Sequence, residues 1–166
     1  MSRNVNFWGQ GNKASVSGEE RANILLLACC YQEVSTGWLM WTTLTAYDLN
    51  EGAIKWSIPL GEVPELAARG IGNTGTHYPK VGPVITAGGL ILTGTRDRKV
   101  RAFDVEDGKM LWETQVPEAI EGIPAVYAVR GRQYIVFCAA ARAGLIPATQ
   151  SKIKGAYVAF ALPSGK

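Results

Sequence analysis

The chain has 166 residues, 47% of them apolar and 19% charged, so one folded domain is the expectation and wholesale disorder is excluded. Seventeen Lys and Arg against fourteen Asp and Glu leave a net charge of +3 with no basic cluster, which argues against nucleic acid or an anionic membrane as partner. Nineteen glycines and eight prolines favour many turns, the lone His77 excludes a His dyad or His-rich metal site, and no apolar run approaches the roughly 18 residues of a transmembrane segment.

In chain order, residues 1–37 form a poorly assigned leader with a partial strand. Asn4 to Gly18 is polar and Gly/Ser-rich and reads as a flexible leader. Ile24 to Cys30 and Trp38 to Asp48 are candidate strands. The adjacent Cys29 and Cys30, with Cys138 the third cysteine, do not suggest a disulfide framework. They read as small apolar strand residues; a vicinal disulfide or a lipobox at Leu26-Leu27-Ala28-Cys29 are the alternatives. Against the lipobox, the apolar stretch is short and Glu19 and Glu20 stand where positive charge belongs, and no ordinary signal peptide is visible. A short helix is expected from Pro64 to Arg69, with Pro in the first turn and Gly70 as its stop.

A repeat organises the larger part of the chain. Ala46-Tyr47-Asp48-Leu49, Gly52 and Trp56 return 56 residues later as Ala102-Phe103-Asp104-Val105, Gly108 and Trp112. A third copy begins at Ala159-Phe160-Ala161-Leu162 and reaches Gly165. Asp107-Gly108 is a hairpin signal, and Glu51-Gly52 takes that role in the first copy. The second unit reads as four strands near 83–87, 89–95, 99–104 and 109–116. The third reads as Ile123 to Val129, a turn at Arg130-Gly131-Arg132, Gln133 to Ala139, and Ala156 to Leu162. The fold class is therefore all-β: a β-propeller fragment of about two to three four-stranded antiparallel blades. Residues 38–166 form the repeat region, with units near 38–59, 82–117 and 122–166. Asp48, Gly52, Trp56, Asp104, Gly108 and Trp112 recur with the repeat and read as structural. Trp112, on the most complete unit, is expected to be the larger anchor of the two tryptophans. Incomplete rings leave apolar edges, so self-association or pairing with further blades is expected.

Thr43 to Leu162 resembles the C-terminal blades of pyrroloquinoline quinone (PQQ) dependent dehydrogenases of the glucose and alcohol type. The resemblance rests on Leu44 to Asn50 with Gly52 and Trp56, and on Pro59-Leu60-Gly61-Glu62 followed by Pro64-Glu65-Leu66. It continues through Asn73-Thr74-Gly75-Thr76, Gly82 to Gly89, Gly94-Thr95 with Asp97, Arg101 to Asp104, Gly131 to Val136, and Tyr157 to Pro163. It implies a propeller holding PQQ and calcium in a central funnel, oxidising a small-molecule sugar or alcohol and passing electrons to a quinone or cytochrome. It also implies a periplasmic location.

The family's catalytic Asp and metal ligands sit on earlier blades, so no catalytic or metal-ligating residue is expected within this chain, and the isolated chain is expected to be inactive. Gly82, Asp97 and Arg142 are the residues that the resemblance points to for cofactor binding. Val81 stands where the family often has Gly, Arg142 where glucose dehydrogenases can have His, and Ala156 where the family has Asp. Asp97 can equally be a turn residue, and Arg142 and His77 solvated loop residues. The loop from Ala139 to Gly155 carries Arg142, Lys152 and Lys154 without an acidic residue and is expected to line the funnel. The alternatives to an enzyme segment are a non-catalytic propeller module for protein binding or assembly, and an inactive truncated remnant.

Overall fold

The computed structural model describes residues 4–5, 24–33, 39–76, 81–141 and 155–161. They form three antiparallel sheets, which from β2 onward follow the chain from one to the next. The first holds β2 (Ile24–Glu33), β3 (Leu39–Asp48) and β4 (Ala53–Pro59). The second holds β1 (Asn4–Val5), β5 (Val84–Thr86), β6 (Leu90–Thr95), β7 (Lys99–Asp104) and β8 (Met110–Gln115), in that order across the sheet. The third holds β10 (Ala125–Val129), β11 (Arg132–Ala141) and β12 (Ala156–Ala161), with β9 (Ala119–Ile120) on the same edge of β11 as β10. The helix spans Pro64–Ala67, shorter than expected, and Gly70 lies beyond it at φ +81°. The adjacent residues Cys29 and Cys30 lie within β2.

Two elements depart from the sequence reading. Asn4 and Val5 pair with Thr86 and Ile85 instead of belonging to a flexible leader. The free edge of β5 offers backbone donors and acceptors to any extended segment, so this pairing needs no side-chain pattern. The two-residue β9 was also not anticipated, being too short for a hydrophobic period to register.

Within the middle sheet β7 is buried on both faces, while β8 at the edge is exposed. Ile85, Ile91 and Phe103 lie across the sheet in one row and pack against Leu44, Ala46 and Leu60 of the first unit. Val100 turns the other way, into a second core with Val116, Ile120, Ile135 and Phe137. Period-two alternation thus feeds two cores from the same strands.

The repeated turns are built alike. The Asp48 carboxylate accepts the amides of Asn50 (2.8 Å) and Glu51 (3.3 Å), and Asp104 accepts that of Glu106 (2.8 Å). Gly52 and Gly108 hold φ of +67° and +72°. Gly108 has a second constraint: a Cβ there would lie 2.8 Å from Cε3 of Trp56. The indole of Trp56 therefore lies against the next unit's turn, and its Nε1 donates to the Val105 carbonyl at 3.0 Å. Trp112 behaves differently. It is 43% exposed and meets Phe160 edge-on at 5.6 Å. The expectation that Trp112 is the larger anchor is overturned: Trp56 has both a docking surface and a hydrogen bond. The positions corresponding to that docking turn in the third copy, Leu162 to Gly165, lie outside the described residues.

Candidate functional site

The antiparallel order brings one set of connections to a common end. Thr43 pairs with Pro59, Lys99 with both Thr95 and Gln115, and Ala139 with both Ala156 and Ile120. The connection from β4 to β5, the β6–β7 turn, the link from β8 to β9 and the β11–β12 connection therefore all leave from this rim. The contacts confirm the alignment: Leu60 donates to the Thr42 carbonyl, Thr42 Oγ1 donates to the Thr76 carbonyl, and Arg96 pairs with Glu121 at 3.4 Å.

Asp97 sits in the β6–β7 turn, and Arg101 lies four residues later on β7. Both are buried, at 8% and 4% exposure. The Asp97 carboxylate accepts from Arg101 through both terminal nitrogens (2.6 and 3.2 Å), from the Thr95 hydroxyl, and from the Glu62 amide at 3.0 Å. Arg101 Nε donates to Glu113 on β8 at 2.8 Å, and Glu113 also pairs with Lys99 at 2.8 Å. The network thus ties the β6–β7 turn to the connection arriving from the first sheet and to the outer strand of the second.

Burial works against the Arg101 charge, but the hydrogen bonds and charges of Asp97 and Glu113 outweigh it, and its pKa is raised. Partial burial likewise opposes the Glu113 charge, yet Lys99 and Arg101 prevail and lower its pKa below the usual carboxylate value.

Gly82 is buried on the same rim. A Cβ there would lie 2.8 Å from Cγ1 of Ile123, and Val81 forms a parallel bridge with Gly122. Its smallness lets the entries to the second and third sheets meet. Gly82 and Asp97 therefore share one end of the fold. Arg142 and His77 lie outside the described residues. Arg101, Glu113 and Glu62 were not singled out from the sequence. The available signal was a charged Arg101 in the middle of a strand: a buried guanidinium requires a carboxylate, and Asp97 is four residues away.

Among the described residues, no group of three or more His, Cys, Asp and Glu is arranged to hold a metal ion. At this rim Arg101 and Lys99 already face carboxylates. A cleft of about 750 Å³ opens between the second and third sheets, lined by Leu92, Ala102, Trp112, Ile135, Phe137 and Phe160 among others. Its lining is largely apolar.

Residues 32–135 match the family described as glucose/ethanol/alcohol dehydrogenase, β-propeller domain, under the heading PQQ. The chain is 36% identical over 132 residues to a probable quinate dehydrogenase (quinone) of Xanthomonas campestris pv. juglandis, covering 73% of this chain and 16% of that protein. It is 31% identical over 134 residues to quinoprotein glucose dehydrogenase A of Acinetobacter calcoaceticus, covering 76% and 16%. Among solved structures, quinohemoprotein alcohol dehydrogenase from Comamonas testosteroni aligns with a TM-score of 0.51 at 21% identity, over 85% of this chain and 23% of that one, a likeness of fold. The chain thus spans about a sixth of the length of these curated relatives.

Proposed function

The chain belongs to the PQQ glucose/ethanol/alcohol dehydrogenase β-propeller family, and on that premise we propose that it forms one sector of a quinoprotein dehydrogenase acting on the hydroxyl group of a sugar, an alcohol or a hydroxy acid such as quinate. The observation that carries this reading is the match over residues 32–135, which includes the whole of the second sheet's strands β5 to β8. Similar proteins are named both for quinone and for cytochrome c acceptors, so the electron acceptor is one of these two classes. By the same reading the protein acts on the periplasmic side of a membrane.

The chemistry that PQQ supplies when bound is acceptance of a hydride equivalent at its quinone. PQQ carries carboxylates and, with calcium, needs cationic and oxygen donors with free valence. Asp97, Arg101 and Lys99 do not fit that demand. The Asp97 carboxylate is occupied by Arg101, Thr95 and the Glu62 amide, and no metal-holding cluster is present among the described residues. No catalytic step is therefore assigned to these residues through the cofactor. In this reading Asp97 is a positioning residue that fixes the rim, Gly82 allows the sheets to converge there, and Arg142 remains the candidate for a cofactor carboxylate. The calcium ligands belong to other parts of a complete propeller.

A second reading, a non-catalytic repeat module, is favoured by the full occupation of the Asp97 carboxylate. Disrupting the coding sequence and measuring PQQ-dependent dye reduction with glucose, quinate and primary alcohols separates the two. Loss of one activity supports the enzyme reading, and unchanged rates for all three classes overturn it. The purified chain alone, given PQQ and calcium, is expected to reduce no dye.

A further inference from the structure

Two connections meet at the rim through consecutive residues that leave the first sheet. The Glu62 amide donates to Asp97 at 3.0 Å, and the Val63 amide donates to Thr74 Oγ1 at 2.9 Å. Asp97 precedes Arg98 in the β6–β7 turn, and Thr74 follows Asn73 in the connection from β4 to β5. Arg98 and Asn73 thus each stand one residue from an anchor, and the two anchors grip neighbours whose Cα atoms are about 3.8 Å apart. Both residues are exposed, and both hold a left-handed backbone, with φ of 64° and 56°. That conformation is uncommon for a residue with a Cβ, and residues held in it gather at ligand clamps.

Both backbones are pinned. The Arg98 carbonyl accepts the Val116 amide at 2.8 Å, Asp97 before it is gripped by Arg101, and Lys99 after it pairs with Thr95 and Gln115. On the other connection the Thr76 amide donates to the Leu60 carbonyl at 2.7 Å, and a Cβ on Gly75 would collide with the Thr42 backbone. The side chains of Arg98 and Asn73 are not consumed in this framework. The rim carboxylates face other cations: Asp97 faces Arg101, Glu113 faces Arg101 and Lys99, Glu62 faces Lys99, and Glu121 faces Arg96. Among the described residues the Arg98 guanidinium and the Asn73 carboxamide have no hydrogen-bond or ionic partner.

We propose that Arg98 and Asn73 form the receptor for a hydroxy-acid substrate. The guanidinium takes the carboxylate by a two-point charged bond, and the carboxamide takes a hydroxyl of the same molecule. The proposal rests on the reading of this chain as a sector of a quinoprotein dehydrogenase, and it narrows the substrate of that reading to hydroxy acids. A neutral sugar or a simple alcohol brings no counter-charge to the guanidinium. Arg98 and Asn73 select the substrate and take no part in moving its proton or hydride.

The test places Arg98→Asn, Arg98→Lys and Asn73→Gly in the native coding sequence and measures PQQ-dependent dye reduction in cell extracts with quinate, glucose and 1-butanol. Asn and Gly both suit a left-handed backbone, so R98N and N73G keep their turns. The parent is expected to show a KM for quinate at least about tenfold below those for glucose and 1-butanol, the scale of one charged hydrogen bond. R98N should close that gap, through KM more than kcat, and R98K should restore part of it. N73G should raise the quinate KM about threefold, as for a neutral hydrogen bond. The PQQ concentration for half-activation should stay unchanged in all three variants. A quinate KM that R98N leaves within about twofold, or a parent that prefers glucose, overturns the proposal. So does a shift confined to PQQ half-activation, which would make the bound carboxylate the cofactor's. Disruption of the coding sequence separates the two levels: if it spares quinate oxidation, the redox reading falls and this proposal with it. If disruption abolishes that activity and R98N does not alter it, this proposal falls alone.

Discussion

Removing the Asp97 side chain is the most searching test of how the rim is held. Asp97→Ala leaves the Arg101 guanidinium, 4% exposed, with Glu113 as its one remaining carboxylate and the Thr95 hydroxyl as its other acceptor, strips the Glu62 amide of its acceptor, and leaves the Thr95 hydroxyl only the longer bond to the Lys99 carbonyl. Breaking a buried ion pair by deleting one partner costs about 3–5 kcal/mol. Glu113 still holds Nε of Arg101, which places the loss at the lower end, about 3 kcal/mol. At the m-values usual for small proteins in urea, about 1–3 kcal/mol/M, that moves the midpoint down by about 1–3 M. Asp97→Asn keeps the shape and one acceptor and is expected to lose less, about 1.5–3 kcal/mol, the worth of a charged hydrogen bond. Because the pair is buried, the effect should persist at 1 M salt, where the Debye length is about 3 Å. The exposed Lys55–Glu106 pair gives the contrast, with little contribution at any salt. An Asp97→Ala variant within about 0.5 kcal/mol of the parent would refute the clamp, since that is the range of surface substitutions without special contacts.

Three further outcomes are expected. Trp56→Ala should lose about 3 kcal/mol, while Trp112→Ala, starting from 43% exposure, should lose less than half as much; chemical denaturation of the two variants ranks them. Gly108→Ala combines a positive φ, costing about 1–2 kcal/mol, with a contact 2.8 Å from the Trp56 ring, so its near-UV circular dichroism should change together with its stability. The pKa of Glu113 is lowered in the fold, so its contribution is fully present above the ordinary value of 4.5 and is lost as pH falls through the depressed folded value. Glu113→Gln should therefore flatten the acid limb of the stability–pH curve, and an unchanged limb would count against the Lys99 and Arg101 contacts.

The candidate site was legible only in part. The resemblance points to Gly82 and Asp97, and both lie on one rim, but their partners are not legible in the sequence. Ile123, 41 positions from Gly82, and Glu62, 35 positions from Asp97, meet them only because antiparallel strands return the chain to the same end. Arg101 looked like one side of an alternating strand. What buries it is the turn before it and the strand after it, and alternation within β7 reports neither.

The all-β class, the 56-residue repeat, the Asp and Gly turns and most strand positions are legible in the order of residues, because each depends on local backbone preference or period-two patterning. Tertiary structure alone decided which copy of a repeated residue does what. Trp56 and Trp112 sit in like local contexts, yet one is docked and hydrogen-bonded and the other half-exposed. Ala46, Ala102 and Ala159 occupy one repeat position, and their burial depends on the strand beside each. Local sequence sets what a residue can offer; the neighbouring sheet, reached only through long-range packing, sets whether anything receives it.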